Sequence, residues 1–113
     1  MEKYISLEIK DDKLLVKLKG ELDEYVCSFI KAQIDYEYKS NFLKDIIFDF
    51  EKVTFIDSSA LGMIICRYKI VNSVGGKVYI IGAKNQVKKI FDISNIDSII
   101  PIFNDIDEIV KCS

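Results

Sequence analysis

The sequence contains no histidine and no tryptophan. Without an imidazole, a Ser-His-Asp triad, a histidine-ligated metal and imidazole acid–base chemistry are all excluded. Cysteine is sparse: Cys27, Cys66 and Cys112 are odd in number, widely spaced and form no CxxC pair. They read as buried or incidental thiols, not as a disulfide framework or a zinc site. One proline, Pro101, and five glycines leave no room for a flexible linker, so a single domain is expected over residues 1–113. No apolar run approaches the roughly 20 residues of a membrane span. The N-terminal Met1-Glu2-Lys3-Tyr4 lacks the charged-then-apolar pattern of a signal peptide. A soluble cytosolic protein is the expectation. An excess of one charge is missing too, because 16 basic and 18 acidic side chains are mixed along the chain for a net charge of −2. Nucleic-acid binding would need a basic stripe. Lys84, Lys88 and Lys89 make only a short cluster, which reads as a solvated helix face.

Half of the residues are apolar and 30% are charged, the balance of a globular domain with one core. The chain opens with two alternating stretches. Ile5, Leu7 and Ile9 oppose Ser6, Glu8 and Lys10; after Asp11-Asp12, Leu14, Val16 and Leu18 oppose Leu15, Lys17 and Lys19. This spacing predicts an antiparallel hairpin that ends at Gly20-Glu21-Leu22-Asp23. Asp23 is a good N-cap for a helix from Glu24 to about Lys39, whose apolar stripe is Val26, Phe29, Ile30 and Ile34. Asn41 to Lys44 is a short connection. Asp45 to Phe50, continued by Val53 to Ile56, reads as a buried parallel strand with its exit. A second helix runs from Ser58 or Ser59 to about Val74, where Gly75-Gly76 stops it. Lys77 to Ile81 is the next strand, and Asn85 to Asp92 a short helix. Ile99 to Phe103, interrupted by Pro101, can serve only as an edge strand or extended segment. Asn104 or Asp105 then caps a last helix holding Ile106, Ile109 and Val110. The predicted fold is α/β: a mixed sheet, with a hairpin at one end and parallel strands beyond it, packed by about four helices.

The chemistry concentrates at Asp57-Ser58-Ser59, where a strand ends and a helix begins. Open α/β sheets place their working groups at that edge. Each of these residues is also an ordinary helix cap, and capping alone would explain them. A serine nucleophile lacks both a G-x-S-x-G elbow and a histidine. A P-loop is absent, since no Gly-Lys-Ser/Thr follows Gly62. A phospho-accepting Asp57 assisted by Asp11 and Asp12 is a rival, but Asp12 leads into a hairpin strand, which puts those acids at the opposite end of the sheet. The turn can instead be acted upon by another protein. A phosphate on a serine there suits the helix N-terminus. It would add about −1.5 to −2 charges beside Asp57.

Gly20-Glu21-Leu22-Asp23, Phe55-Ile56-Asp57-Ser58-Ser59-Ala60-Leu61-Gly62, Arg67-Tyr68-Lys69, Gly75-Gly76 and Lys89-Ile90-Phe91-Asp92-Ile93-Ser94 follow one another in this order. Over essentially its whole length the chain resembles the STAS-domain anti-sigma factor antagonists, most closely the sporulation members. The resemblance implies a STAS fold and a partner switch rather than an enzyme. In that family the unphosphorylated antagonist binds an anti-sigma factor that is also a serine kinase, and so frees a sigma factor. The kinase silences the antagonist by phosphorylating the serine that corresponds to Ser58, and a PP2C-type phosphatase restores it. Asp57 and Ser59 would then shape the turn. Gly20, Glu21 and Asp23, together with Asp57, Ser59, Ala60 and Gly62, would form the partner surface. No cofactor, metal, nucleic acid or membrane contact is implied. The chain departs from the family at Ala60, where glycine is usual; alanine suits the first turn of a helix. A different partner-switching pathway, in general stress control or a signalling scaffold, is the alternative.

Overall fold

The opening alternation becomes a hairpin. In the computed structural model, which describes residues 4–112, β1 (Ile5–Lys10) pairs antiparallel with β2 (Lys13–Leu22). The register runs from Ile5 opposite Leu18 to Lys10 opposite Lys13, and Asp11 turns the chain at φ 59°. The N-terminal tripeptide and the Cys112 thiol, both read in the sequence, lie outside the described residues and side chains. The elements that follow are α1 (Glu24–Ser40), β3 (Asp45–Ile56), α2 (Ser58–Ser73), β4 (Val78–Ile81), α3 (Asn85–Ser94), β5 (Ile102–Phe103) and α4 (Ile106–Cys112). The strands form one sheet in sequence order, antiparallel between β1 and β2 and parallel thereafter. This is the predicted mixed α/β sheet with four helices. Among the described residues, no helix is long and apolar enough to cross a membrane.

Three differences from the sequence-based expectation have physical causes. The segment Gly20-Glu21-Leu22 does not close the hairpin as a loop; it continues β2 past the last β1 partner. Its other edge still pairs with β3, from Lys19 opposite Lys52 to Leu22 opposite Ile56. Register shifts at Lys17/Lys19 and Gly20/Glu21 interrupt this ladder, and Gly20 takes up the second at φ +83°, a conformation glycine adopts without a Cβ penalty. Likewise β3 is a single strand of 12 residues, because pairing with β2 carries it through the polar Glu51-Lys52 pair. The edge strand shrinks to Ile102–Phe103, since Pro101 can only accept; its carbonyl takes the Ile80 N–H at 3.0 Å.

The sheet is covered unequally. On one face α1, α2 and α3 bury Ile30, Ile64 and Phe91 against Val16, Phe48 and Phe50. Phe91 meets Phe50 edge-on at 5.2 Å between ring centroids, a favoured aromatic geometry. On the other face α4 supplies Ile109 to a small cluster of Leu15, Ile47 and Ile81. Lys17 and Glu51 leave the rest of that face polar and exposed. The cover expected on both sides of β3 is therefore present only near its start. What this layering positions is the end of the sheet where β2 and β3 stop side by side.

Candidate functional site

Leu22 and Ile56, the last residues of two parallel strands, are register partners, and both are fully buried. Each is followed by an aspartate that caps a helix. Asp23 Oδ1 accepts the Val26 N–H at 2.9 Å to start α1; Asp57 Oδ1 accepts the Ser59 N–H at 2.9 Å to start α2. The Asp57 carbonyl also accepts the Ala60 N–H at 3.2 Å. Local sequence suffices for this, because a short acceptor side chain before a helix satisfies amides that have no partner within the helix. Tertiary pairing adds that the two capped ends are neighbours.

At this edge Ser58 is the first residue of α2 and is exposed, while Asp57 and Ser59 are half-buried. Glu21, Asp23 and Gly62 are exposed and Gly20 is half-buried beneath the Tyr4 ring. Ala60 is the exception: expected on the partner surface, it is fully buried. At the third position of the helix its methyl turns into the core, so its side chain has nothing to offer a partner. Gly62, one turn into α2, has open space where a side chain would stand. A groove of about 330 Å³ between α1 and α2 starts at Ser59 and includes Glu24, Cys27, Lys31 and Cys66. Asp11 and Asp12, at the start of β2, lie at the end of the sheet away from Asp57. They cannot serve it as a cluster. Among the described residues no group of three or more Asp, Glu and Cys side chains could hold a metal ion.

Two contacts behind the site could not be read from the sequence, although Arg67 itself stands in one of its motifs. Arg67 is buried at the α1–α2 contact, with Nε 3.1 Å from Asp35 Oδ1 and Nη2 donating to Asp35 Oδ2 at 3.1 Å. This ion pair, with its single hydrogen bond from Nη2, ties together the helices that carry Asp23 and Asp57. Gln86, on α3, hydrogen-bonds the backbone of Ile56 through both ends of its carboxamide, at 3.0 Å each. A glutamine on a predicted helix reads as solvated surface, and nothing in the local pattern points to a strand 30 residues earlier.

Cys27 shares this environment. Burial, followed by the Asp57 and Asp23 carboxylates, pushes its thiol from the usual 9.0 up to about 11. Cys66 is exposed. Iodoacetamide near neutral pH should therefore alkylate Cys66 at least about tenfold faster than Cys27, read by peptide mass spectrometry. Equal rates would show Cys27 to be open to solvent. Because the folded pKa lies above the unfolded value, the stabilising contribution of Cys27 is complete below the unfolded pKa and is lost as pH rises toward the folded value of about 11. Thermal melts across that alkaline range should show the decline, and Cys27→Ala should flatten it.

The STAS domain profile matches residues 4–109. The chain belongs to the STAS domain family. Its domain is 31% identical over 104 residues to the anti-sigma F factor antagonist of Paenibacillus polymyxa, covering 92% of this chain and 89% of the relative. The anti-sigma-B factor antagonist of Listeria monocytogenes is 27% identical, with 88% and 90% covered. The structure of the anti-sigma factor antagonist SpoIIAA in its unphosphorylated form superposes on this STAS domain with a TM-score of 0.82 at 25% identity, over 94% of this chain and 92% of that one. The edge built from Asp23, Asp57 and Ser58 is thus the end of the sheet in a STAS domain with antagonist relatives.

Proposed function

We infer that the protein is an anti-sigma factor antagonist whose unphosphorylated form binds an anti-sigma factor and releases the sigma factor. The observation that carries this reading is the placement of Ser58. It opens α2, is exposed, and follows one of two aspartate-capped strand ends whose last residues are register partners. The chemistry fits a group acted upon. No imidazole is present to activate Ser58, while the helix N-terminus accommodates a phosphate once it is delivered. The partner is an anti-sigma factor that doubles as a serine kinase, and a PP2C-type phosphatase reverses its action in the cytoplasm. Glu21, Asp23 and Gly62 are exposed contacts on the partner surface, and Asp57 and Ser59 shape the turn. The domain acts as an interaction module and is acted upon by the kinase and phosphatase.

Incubation with the anti-sigma kinase and ATP, followed by peptide mass spectrometry, tests this reading. A single acid-stable phosphate on Ser58, absent from Ser58→Ala, is the expected result. An acid-labile phosphoryl group on Asp57 would replace it with a receiver-like reading. The Listeria relative keeps a second pathway in view, since its name attaches it to sigma-B rather than sigma-F. Binding measured against anti-sigma factors of both kinds separates them, with sporulation favoured by tighter capture of the sigma-F type.

A further inference from the structure

Gln86 has a role that its helical context does not explain. β4 ends at Ile81, opposite Asp49, so β3 runs on for seven residues with no strand on that side among the described residues. Ile56 is the last of these. In a strand the N–H and C=O of one residue point to the same side, and those of Ile56 face α3 rather than β2. There the Gln86 Oε1 accepts the Ile56 N–H at 3.0 Å, and the Gln86 Nε2 donates to the Ile56 carbonyl at 3.0 Å. The carboxamide supplies the one acceptor and one donor that two successive peptide groups of a longer parallel β4 would have supplied. The Ile56 carbonyl belongs to the same rigid peptide plane as the Asp57 nitrogen. Fixing that plane sets where Asp57 starts, and Asp57 in turn holds the Ser59 N–H at 2.9 Å across Ser58. The clamp is itself anchored, because Val87 and Phe91 of α3 are fully buried in the main core.

We propose that Gln86 is a positioning residue for Ser58: by clamping the Ile56 peptide it holds the Asp57-Ser58-Ser59 turn in the geometry that the kinase reads. This rests on Ser58 being the phospho-acceptor. Gln86→Met keeps the side-chain length and removes both hydrogen bonds. Gln86→Glu keeps an acceptor for the Ile56 N–H, but at neutral pH has no donor for the Ile56 carbonyl. Amide hydrogen exchange by NMR needs no partner protein and is measured first. In Gln86→Met both the Ile56 and the Ser59 amides should exchange about tenfold faster than in the unaltered protein. In Gln86→Glu the Ile56 amide should stay protected while Ser59 accelerates. Phosphorylation by the anti-sigma kinase is measured second. In Gln86→Met the kcat for Ser58 should fall about tenfold with KM unchanged, as expected of a misplaced acceptor. Acceleration confined to the Ile56 amide would make Gln86 a strand clamp and nothing more, and overturn the proposal. An unchanged kcat would do the same. If the unaltered protein takes no phosphate, it is the antagonist reading that falls; the exchange pattern still decides whether Gln86 holds the turn.

Discussion

Phosphorylated at Ser58, the protein should bind its anti-sigma factor at least about a hundredfold more weakly, because docking would bury a phosphate dianion in a surface built for a neutral hydroxyl, and desolvating an unpaired charge costs several kcal/mol where each ~1.4 kcal/mol is tenfold. Its melting temperature should move by no more than about 2 °C. Both halves follow from the position of Ser58. The hydroxyl is on an exposed first helical residue, so a phosphate enters no packed space. The amides at the start of α2 and the helix dipole stabilise an anion there by about 0.3–1 kcal/mol. The Asp57 and Asp23 carboxylates on the adjoining strand ends oppose it. These influences leave the folding equilibrium nearly unchanged. A docking partner meets a different surface. About −1.5 to −2 charges are added to an edge that already presents Glu21, Asp23 and Asp57. Ser58→Asp adds only one charge and no third oxygen, so its effect should be nearer tenfold and should shrink as salt is raised. Calorimetric titration of the three forms, with a thermal melt of each, tests the prediction. Undiminished binding by a fully phosphorylated, folded protein would remove Ser58 from the interface.

The largest loss of stability is expected from a single methyl group. Gly76→Ala should destabilise the fold by about 3 kcal/mol or more, the upper range for overpacking a site that cannot relax. Gly75, at φ +81°, and Gly76 end α2 by donating to the Asn72 carbonyl at 3.1 Å and the Val71 carbonyl at 2.9 Å, the paired bonds of a Schellman-type stop. This brings the Gly76 backbone against the connection between α1 and β3. A Cβ on Gly76 would overlap the Lys44 carbonyl oxygen and stand 2.8 Å from Val71 Cγ1. The carbonyl cannot easily retreat. It accepts the Tyr38 hydroxyl at 2.6 Å, and the Lys44 N–H donates to the Asp12 carbonyl at 2.7 Å. Gly62→Ala is the matched control. Nothing lies within 4 Å of its Cβ position, and alanine in a helix interior is favoured over glycine by about 0.5–1 kcal/mol, so this variant should be more stable. Urea unfolding of both proteins gives the comparison. A loss below about 1 kcal/mol in Gly76→Ala would mean that the two connections pack less closely than described.

Much of the architecture was legible because the interactions behind it are short-range. Ile5, Leu7, Leu14, Val16 and Leu18 alternate with polar residues, and a period of two means a strand whatever surrounds it. Asp23 and Asp57 precede apolar helical stripes, and their carboxylates need only amides two or three residues away. The Gly75-Gly76 stop is similarly local. Where the reading failed, a distant partner made the decision. Gly20 to Leu22 looked like a loop because the hairpin ends there, yet β3 extends the strand. Asp45 to Phe50 read as the strand and Val53 to Ile56 as its exit, whereas pairing with β2 makes them one strand through Glu51-Lys52. Ala60 was placed on the partner surface with its neighbours, but the rotation of α2 against the sheet sends that methyl inward. Arg67 was noticed as part of a motif, and its buried pairing with Asp35 depends on two helices whose contact no local pattern encodes.

The amino-acid sequence by itself therefore determined the order and type of the main elements, the caps that start α1 and α2, and the presence of a serine hydroxyl with no histidine to activate it. Periodicity, capping and composition act over a few residues and call for no distant partner. The tertiary structure alone decided that the Asp23 and Asp57 turns lie side by side, that Arg67 braces the helices behind them, and that Gln86 holds the strand leading to Ser58. Those contacts join residues about 30 positions apart. They exist only after sheet register and helix packing have brought the residues together, because a side chain satisfies whichever polar group the fold places within its reach.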